Sequence, residues 1–539
     1  MTASPADSAA GAVGGALSPR RWWALIAISA SVLVVGLDLT VLSLALPTIS
    51  ADMHASTGDL QWITDAYSLV IASAMLPAGL LGDRYGRKKV LIIALALFGL
   101  SSAACAYAAS TGELIAARAL LGLGAAAIFP LALSVIPVLF APAERQKAIA
   151  LMASATFISF PIGPIVGGYL LDHFWWGSVF LINVPVVGLA LIAVTFLLPE
   201  SRSSSRPGLD YMGVLVSCAG LAALTYGLIK AGQDGWSDAA ALAAIGVGVV
   251  VLAVLVLWER SVARRGAVPL VDLPLFASRG FRWGTILATL VSFAMFGLLF
   301  AMPLYFQDVR GANALGSGLR LLPLVGGMLV GMIGGTRLQS PRRGADGSAR
   351  AAVLSAKVAV TAGFAIMAAA MALGALTSVG SSTGYAAAWI AVAGLGLGLA
   401  MPSTMNVALG ALSVERSGSG SALISALRQV GGTIGVAVLG TLISNSYSSR
   451  VDVSGLPSSV AELARSSVAG GAAVARKIGS PSLLDSVRTA FIHGMDIMLW
   501  TCGGIALVSA VLALLFLPRR PGAAAAAGEP VDSASISVS

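Results

Sequence analysis

Long apolar runs recur along the whole chain, and they constrain the fold more than any other feature of the sequence. Fourteen of them reach the length of about 20 residues that an α-helix needs to cross a bilayer. They cover 22–46, 62–82, 90–109, 114–138, 148–171, 178–199, 211–230, 239–258, 284–306, 317–337, 353–376, 386–411, 421–445 and 488–517. Only 11% of the 539 residues are charged, whereas a soluble globular domain is about a quarter charged. The sequence therefore predicts an all-α integral membrane protein with 14 transmembrane helices.

The basic residues lie mainly in the segments that would face the cytoplasm. With both chain termini inside, 22 of the 33 Lys and Arg residues fall in inner segments, and the short outer connections carry almost none. This asymmetry favours an even number of spans. The net charge of +9 is therefore assigned to a cytoplasmic face that attracts anionic lipid, and nucleic acid is not expected as a partner. The outer loop 446–487, with four basic residues, fits this topology least.

Shifts in composition divide the chain into two six-helix blocks. We expect a disordered tail at 1–21, an N-terminal six-helix bundle at 22–199, a cytoplasmic linker at 200–210, an inserted helix pair at 211–258, a cytoplasmic loop at 259–283, a C-terminal six-helix bundle at 284–517 that includes the long outer loop 446–487, and a disordered tail at 518–539. The linker is recognised by its Ser, Arg, Pro and Gly residues.

Ionisable side chains inside apolar spans are candidate functional residues, because each costs roughly 2.5–3.5 kcal/mol on insertion scales. Asp38, Asp65 and Arg118 all fall in the outer half of the membrane. Two acids and one guanidinium at similar depth could share protons and offset one another's burial. Asp65 could instead cap the second helix at the interface. The roles of Arg428 and Asp496, in the last two spans, are left open by the sequence.

Two glycine-containing segments have the character of conformational motifs. The inner connection between the second and third spans reads Gly79-Leu-Leu-Gly-Asp-Arg-Tyr-Gly-Arg-Lys-Lys-Val-Leu91. Gly86 allows a tight turn there. Asp83, Arg84 and Arg87 form a charged cluster near the start of the third helix, where the helix dipole favours Asp83.

The fifth span contains the second segment, which reads Pro161-Ile-Gly163-Pro164-Ile-Val-Gly167-Gly168. Prolines remove backbone donors and bend a helix, whereas glycines let a neighbouring helix approach closely. The stretch is typical of a hinge or gate. Plain close packing of the glycines is the alternative.

Four segments resemble the motifs of the drug–proton antiporters of the major facilitator superfamily, in their fourteen-helix branch. They are Leu37–Pro47 in the first helix, Gly79–Leu91 in the loop, Leu114–Gly122 in the fourth helix and Gly163–Gly168 in the fifth helix. The resemblance runs from about residue 22 to residue 517. It implies the major facilitator fold, with two six-helix bundles, an inserted helix pair and both termini cytoplasmic, in the cytoplasmic membrane.

The chain departs from the family pattern at three places, one of which is the degenerate second-half counterpart of the loop motif around Arg337 to Arg350. Leu121 stands where the fourth-helix motif often has glutamine, which affects the expected polar network around Arg118. A glycine that is usual early in the fifth-helix motif is replaced near Ser159 and Phe160, which affects the expected bend of that helix.

The resemblance implies proton-coupled efflux of lipophilic drugs, antibiotics or cationic toxic compounds, conferring resistance. In the family, an arginine at the Arg118 position is associated with proton coupling, and an acid at the Asp65 position is linked to cationic substrates. We expect Asp38 to exchange the proton. A lipophilic cation would compete for Asp65 and stack on aromatic rings. The candidate rings are those of Trp62, Tyr67, Phe296 and Tyr305.

Other functions fit the sequence less well. An ATP-driven pump needs a GxxxxGK(S/T) segment, which the sequence lacks, and three scattered histidines suit neither a metal site nor an enzyme. A channel does not need antiporter motifs. The open alternatives are a dedicated exporter of a self-made antibiotic or natural product and, less favoured, an importer of small metabolites. We therefore predict a monomeric secondary transporter without catalytic residues, metal or cofactor, driven by the proton gradient among membrane lipids.

Overall fold

The computed structural model describes residues 20–53, 55, 57–202, 210–265, 273–339, 342–343, 349–350, 354–412, 417–466 and 468–518. Both predicted disordered tails lie almost entirely outside these ranges, as do residues 203–209 of the predicted linker. The first helix begins at Arg20, so the last two residues of the predicted amino-terminal tail are helical.

The first half of the chain folds into seven helices that correspond to six predicted spans. They are α1 (Arg20–Met53), α2 (Thr57–Tyr85), α3 (Arg87–Ala106), α4 (Thr111–Leu139), α5 (Pro142–His173), α6 (Ser178–Leu181) and α7 (Asn183–Leu197). Ser110 caps α4 by accepting a hydrogen bond from the Glu113 amide. The α2 helix bends by 51° between Trp62–Met75 and Pro77–Tyr85, where the proline ring cannot continue the backbone hydrogen bonding.

The second half contains the remaining helices and one two-stranded hairpin. They are α8 (Tyr211–Asp234), α9 (Ala239–Arg264), a 3-10 turn (Leu273–Ala277), α10 (Arg279–Leu304), a π-helical turn (Tyr305–Val309), α11 (Ala314–Arg320), α12 (Leu322–Gln339), β1 (Arg342–Arg343), β2 (Ala349–Arg350), α13 (Ala356–Gly374), α14 (Thr383–Leu409), α15 (Ser417–Arg450), α16 (Ser458–Ser466), α17 (Val468–Ile478) and α18 (Pro481–Phe516). Asp210 and Asp238 cap α8 and α9 by accepting from backbone amides.

The long helices pack into two bundles. One core joins α1–α5 and α7, and the other joins α10, α12–α15 and α18. The bundles meet where α2 and α4 pack on α15 and where α5 packs on α11 and α12. The inserted α8 packs on α9 and also touches α2 and α15, so it contacts both bundles.

Within the described residues, twelve helices are long and apolar enough to cross a membrane, or thirteen when the two parts of bent α2 are counted as one span. The one predicted span that is not among those thirteen is the fifth, 148–171, which corresponds to α5, a continuous helix of 32 residues. The prediction of an α-helical membrane protein is therefore confirmed, and the two-residue strands β1 and β2 are the exception among the described residues.

The predicted outer loop 446–487 is largely helical. The α15 helix continues to Arg450, and the short helices α16 and α17 precede α18, which begins at Pro481. The Tyr447 hydroxyl donates to the Ala464 carbonyl at 2.7 Å, and Val468 and Ala472 are buried against the second bundle. Hydropathy over long windows misses such short helices, because only one face of each is apolar.

Candidate functional site

A buried ion pair joins α1 to α4 inside the first bundle. The Nη1 atom of Arg118 donates to Oδ2 of Asp38 at 2.5 Å, and each side chain is only 1% exposed. The α4 sequence around Arg118 is otherwise alanine, leucine and glycine, which brings that helix close to its neighbours. Because neither charge is accessible to water, each one compensates for the burial of the other.

Further polar groups hold this pair. The Nδ2 atom of Asn183, at the start of α7, lies 3.4 Å from Oδ1 of Asp38 and 3.1 Å from Oγ of Ser102, and donates to both. Nε of Arg118 donates to the Ile63 carbonyl of α2 at 3.0 Å. The pair is therefore fixed by side chains from α3 and α7 and by the α2 backbone.

Asn183 and Ser102 were not among the predicted site residues, because neither side chain is ionisable. An amide inside the otherwise apolar 178–199 run was a usable signal, since an amide that is buried without a partner is costly. The Ser102 hydroxyl in turn donates to the Phe180 carbonyl at 2.9 Å, which completes the chain of donors.

Tyr67 belongs to this cluster as well. The Arg118 guanidinium lies 4.3 Å from the centroid of the Tyr67 ring, and the ring is fully buried. Within the described residues, the Tyr67 hydroxyl has no hydrogen-bond partner. The structure thus brings Asp38, Arg118 and Tyr67 together, and Tyr67 contacts the charged pair directly.

The other predicted residues of α2 lie beside this cluster. Asp65 is partly buried and lies two positions beyond Ile63, whose carbonyl binds Arg118. Trp62 is 44% exposed and stacks on Tyr226 of α8, with 5.9 Å between the ring centroids. Trp62 therefore lies at the boundary between the first bundle and the inserted pair.

The two predicted aromatic residues of α10 and its extension lie in the second bundle. The Phe296 ring packs on Gly432 of α15, so closely that a β-carbon at that glycine would be 2.9 Å from Cδ2 of the ring. Tyr305 is 1% exposed, and its ring centroid is 5.1 Å from that of Phe306. The structure does not bring these rings to the Asp38 cluster, and substrate contact at either ring stays a prediction.

The loop between α2 and α3 forms a compact joint. Gly86 has φ +112°, a conformation that residues with a β-carbon rarely adopt. Asp83, in the last turn of α2, accepts hydrogen bonds from Nη2 and Nε of Arg87 at 2.9 and 3.0 Å, and both side chains are buried. Arg84 lies over the Tyr85 ring, and Gly79 is buried nearby on α2.

A residue outside the predicted motif completes the joint. Oε1 of Glu200, just after α7, accepts a hydrogen bond from the Lys88 amide at 3.2 Å, and the Ser201 carbonyl accepts from the Arg87 amide at 2.8 Å. We expected the dipole of the third helix to favour Asp83. The structure instead places Glu200 at the first amides of α3, while Asp83 binds the arginine side chain.

The glycines of α5 pack against α1. A β-carbon at Gly163 would overlap the side chain of Thr40, and one at Gly167 would be 2.9 Å from Cγ1 of Val41. Gly168 points elsewhere, 4.0 Å from the Leu315 amide of α11. Pro164 lies within the continuous α5 helix. The segment predicted as a hinge therefore contacts α1 within one turn of Asp38.

The described residues contain no group of three or more His, Cys, Asp or Glu side chains placed to hold a metal ion. What the cluster around Asp38 can do chemically is hold and exchange a proton, because it combines one carboxylate, one fixed cation and neutral donors. A further arginine in the membrane-spanning region, Arg428 on α15, forms no such pair among the described residues and is considered below.

The sequence and the fold were compared with known proteins. Residues 28–436 match the family model described as Major Facilitator Superfamily. The chain is 33% identical over 536 residues to the tetracenomycin C resistance and export protein of Streptomyces glaucescens, covering 96% of each protein. It is 35% identical to the multidrug efflux pump LfrA of Mycolicibacterium smegmatis, covering 88% of this chain and 92% of that pump.

Another relative is the methyl viologen resistance protein SmvA of Salmonella typhimurium, which is 30% identical and matches 91% of this chain and 97% of its own length. Among solved structures, a double tryptophan mutant of XylE superposes with a TM-score of 0.61 at 15% identity, over 93% of this chain and 97% of that one. A bacterial homologue of the human lysosomal transporter Spinster gives a TM-score of 0.60 at 17% identity, over 93% and 98% of the two chains. These structures share the fold.

Proposed function

Since the chain belongs to the Major Facilitator Superfamily, we propose that it exports lipophilic drugs, antibiotics or cationic toxic compounds in exchange for protons. It is a multi-pass transporter of the cell membrane, and it is similar over most of its length to efflux and resistance proteins. The buried Asp38–Arg118 pair is the observation that carries the proton exchange, because a carboxylate withheld from water is stable only while its charge is balanced.

We propose fourteen spans with both termini in the cytoplasm. The fourteen long helical segments and the inner position of most basic residues support this topology. The two six-helix bundles would rock against each other around a central site, with α8 and α9 as an insertion beside them. In this proposal the protein works as a monomer among membrane lipids, needs no cofactor and takes its energy from the proton gradient.

The proton step uses the geometry around Asp38. A proton that arrives from outside binds the Asp38 carboxylate and removes its negative charge. Arg118 then stays attached to the Ile63 carbonyl, and the cluster carries one uncompensated positive charge. Such a charge is costly in a low-dielectric interior, so a rearrangement that releases the proton to the cytoplasm restores the balanced pair. Asn183 keeps the carboxylate oriented during the exchange.

The two glycine-containing segments would transmit the rearrangement at Asp38 to the rest of the first bundle. The Asp83–Arg87 pair and Gly86 fix the angle between α2 and α3, and Gly163 with Gly167 couples α5 to α1 beside the proton site. Because α2 and α5 both contact the second bundle, a shift of either helix changes the contact between the bundles.

For the substrate, we propose that a lipophilic cation binds near Asp65, with Trp62 available for stacking. The similarity to LfrA and SmvA, whose names refer to multidrug efflux and methyl viologen resistance, supports this class. The alternative is a dedicated exporter of a self-made antibiotic, which the similarity to the tetracenomycin C export protein favours. An importer of small metabolites is the weakest candidate, because these three relatives are resistance or export proteins.

Ethidium efflux from a pump-deficient bacterial host tests the proposal. Cells with the wild-type protein should lose ethidium rapidly, and a protonophore should stop the loss. The Asp38→Asn variant should abolish gradient-dependent efflux at equal membrane abundance. Asp52→Asn, a change of the same chemistry at an exposed position of α1, is the matched control and should leave efflux intact. Efflux that continues in the presence of the protonophore would refute the coupling.

A further inference from the structure

Arg428 on α15 is a second arginine inside the membrane-spanning region, and its surroundings differ from those of Arg118. Its Nε donates to Oγ of Ser292 at 3.2 Å. Its two Nη atoms face the sulfur atoms of Met405 and Met401 at 3.9 and 3.8 Å. Within the part of the chain that the structure describes, Arg428 forms no ion pair with an acidic side chain.

The contacts of Arg428 place it between the two bundles. Its guanidinium lies 5.6 Å from the centroid of the Phe129 ring, which belongs to α4 of the first bundle. Met401 and Met405 lie on α14 of the second bundle. Arg428 is eleven residues beyond Ser417, or about 16 Å of helix rise from the inner end of α15. Asp38 is about 27 Å from the inner end of α1, so Arg428 lies closer to the cytoplasm.

The acceptors around this guanidinium are weak. Thioether sulfur is a poor acceptor, and the Ser292 hydroxyl is neutral and already donates to the Ala288 carbonyl at 3.1 Å. A guanidinium does not lose its proton in a protein, so the positive charge persists with most of its donors poorly satisfied. Part of the Arg428 surface is nevertheless uncovered by the described residues.

We propose that Arg428 binds an anionic oxygen group, such as a carboxylate, phenolate or enolate, on the exported molecule. The inference rests on the proposed export function and specifies one substrate class for it. A guanidinium binds such groups through two parallel hydrogen bonds, which would satisfy the donors that the protein leaves open. The flexible side chains of Met401 and Met405 and the ring of Phe129 supply an apolar wall that adapts to different carbon skeletons.

The test compares two probes that share the same dansylglycyl group and differ in the charge of the terminal group. Dansylglycine carries a carboxylate, and its methylamide is neutral. Binding of each is measured by fluorescence on purified full-length protein in phosphatidylcholine nanodiscs without a proton gradient, with empty nanodiscs subtracted. Wild-type protein should bind the anion about tenfold more tightly than the amide, which corresponds to about 1.4 kcal/mol.

Variants of Arg428 show whether this residue causes the preference for the anionic probe. Arg428→Met should remove the preference for the anion and keep the affinity for the amide, which also shows that the variant is folded. Arg428→Lys should retain part of the preference, because it keeps the charge without the two parallel donors. The control is Arg145→Gln, since Arg145 donates to the backbone carbonyls of Phe140 and Pro137, and this variant should keep the full preference.

Wild-type protein that shows no preference for the anion, or that binds neither probe, overturns the inference. A preference that survives in Arg428→Met overturns it as well. If Arg428→Met does not fold, a preference that survives in a further variant, Arg428→Gln, has the same effect. Binding without a gradient is independent of proton coupling. Proton-driven ethidium efflux without an Arg428-dependent preference therefore defeats this inference alone, whereas the preference without proton-driven efflux defeats the proposed function alone.

Discussion

Gly163 of α5 lies directly against Thr40 of α1, and a methyl group at position 163 would occupy the space of the Thr40 side chain. Thr40 is two residues beyond Asp38, so this contact determines how closely α5 approaches the helix that carries the buried acid. Thr40 can yield little, because its hydroxyl is held by the carbonyl of Leu37 at 3.0 Å.

The Gly163→Ala substitution should therefore lower both stability and transport. Overpacking of a tight contact costs about 1–3 kcal/mol, and separating α5 from α1 also displaces Asp38. The measurements are the thermal unfolding midpoint in detergent and the rate of ethidium efflux. Gly168→Ala in the same motif is the control, because its new methyl group meets only the Leu315 amide at 4.0 Å. Equal behaviour of the two variants would contradict the proposed packing role.

Arg118→Gln should destabilise the protein strongly, since it leaves the Asp38 carboxylate buried without its cation. Removing one partner of a buried pair costs about 3–5 kcal/mol. The double variant Asp38→Asn with Arg118→Gln should recover most of that stability, because no charge remains, but it should not recover proton-coupled efflux. Thermal unfolding and efflux are measured for Asp38→Asn, Arg118→Gln and the double variant. A double variant as unstable as Arg118→Gln would show that the charge imbalance is not the cause.

Asn183→Leu should slow efflux several-fold and destabilise the protein by about 1–3 kcal/mol, because Ser102 and Asp38 lose a buried donor. Thr195→Val on the same helix is the control. The Thr195 hydroxyl is exposed and bonds only the Leu191 carbonyl of its own helix at 2.7 Å, so this variant should resemble the wild type. Unchanged efflux in Asn183→Leu would remove Asn183 from the proton site.

Gly86→Ala should impair folding more than Gly235→Ala. Both glycines have positive φ angles, +112° and +97°, so both variants carry backbone strain of about 1–3 kcal/mol. A β-carbon at position 86 would in addition come within 2.6 Å of Oε1 of Glu200, whereas position 235 has no neighbour within 4 Å among the described residues. Membrane abundance and the unfolding midpoint of the two variants measure the difference. Similar losses would mean that the Glu200 contact is unimportant.

Asp65→Asn should reduce the export of dications more than that of monocations, because a second positive charge gains most from a nearby carboxylate. Minimum inhibitory concentrations for matched dications and monocations in a pump-deficient host provide the measurement. Trp62→Leu should reduce resistance to both classes alike, since stacking depends little on a second charge. Equal losses for both classes in Asp65→Asn would argue against direct contact between Asp65 and the cation.

Of all features of the fold, the membrane spans were predicted best from the sequence. The hydrocarbon thickness determines span length, so nearly every predicted run contains a helix at the expected place. Helix ends were less predictable, because they depend on caps such as Ser480 before α18 and on tertiary contacts such as that of Tyr447 beyond the membrane. The 51° bend at Pro77 was not foreseen, whereas the prolines of the fifth span lie in a continuous helix.

The site was predicted in part for a similar reason. Asp38 and Arg118 are costly in a membrane, so the sequence identified them and placed them at compatible depths. Asn183 and Glu200 carry no comparable cost of burial in the sequence, and their importance depends on what they contact. A contact across more than one hundred positions of the chain leaves no local pattern. The separation of Phe296 and Tyr305 from the first bundle was equally hidden, because it is set by the packing of helices.

The inserted pair has a consequence for molecules dissolved in the bilayer. The α8 helix contacts both α2 and α15 where the two bundles meet, and α9 packs on α8. A compound that approaches sideways through the lipid would meet this helix pair on one side and the contact between α5 and α12 on the opposite side. In the proposed transport scheme, loading from the membrane would therefore take place on one side of the protein.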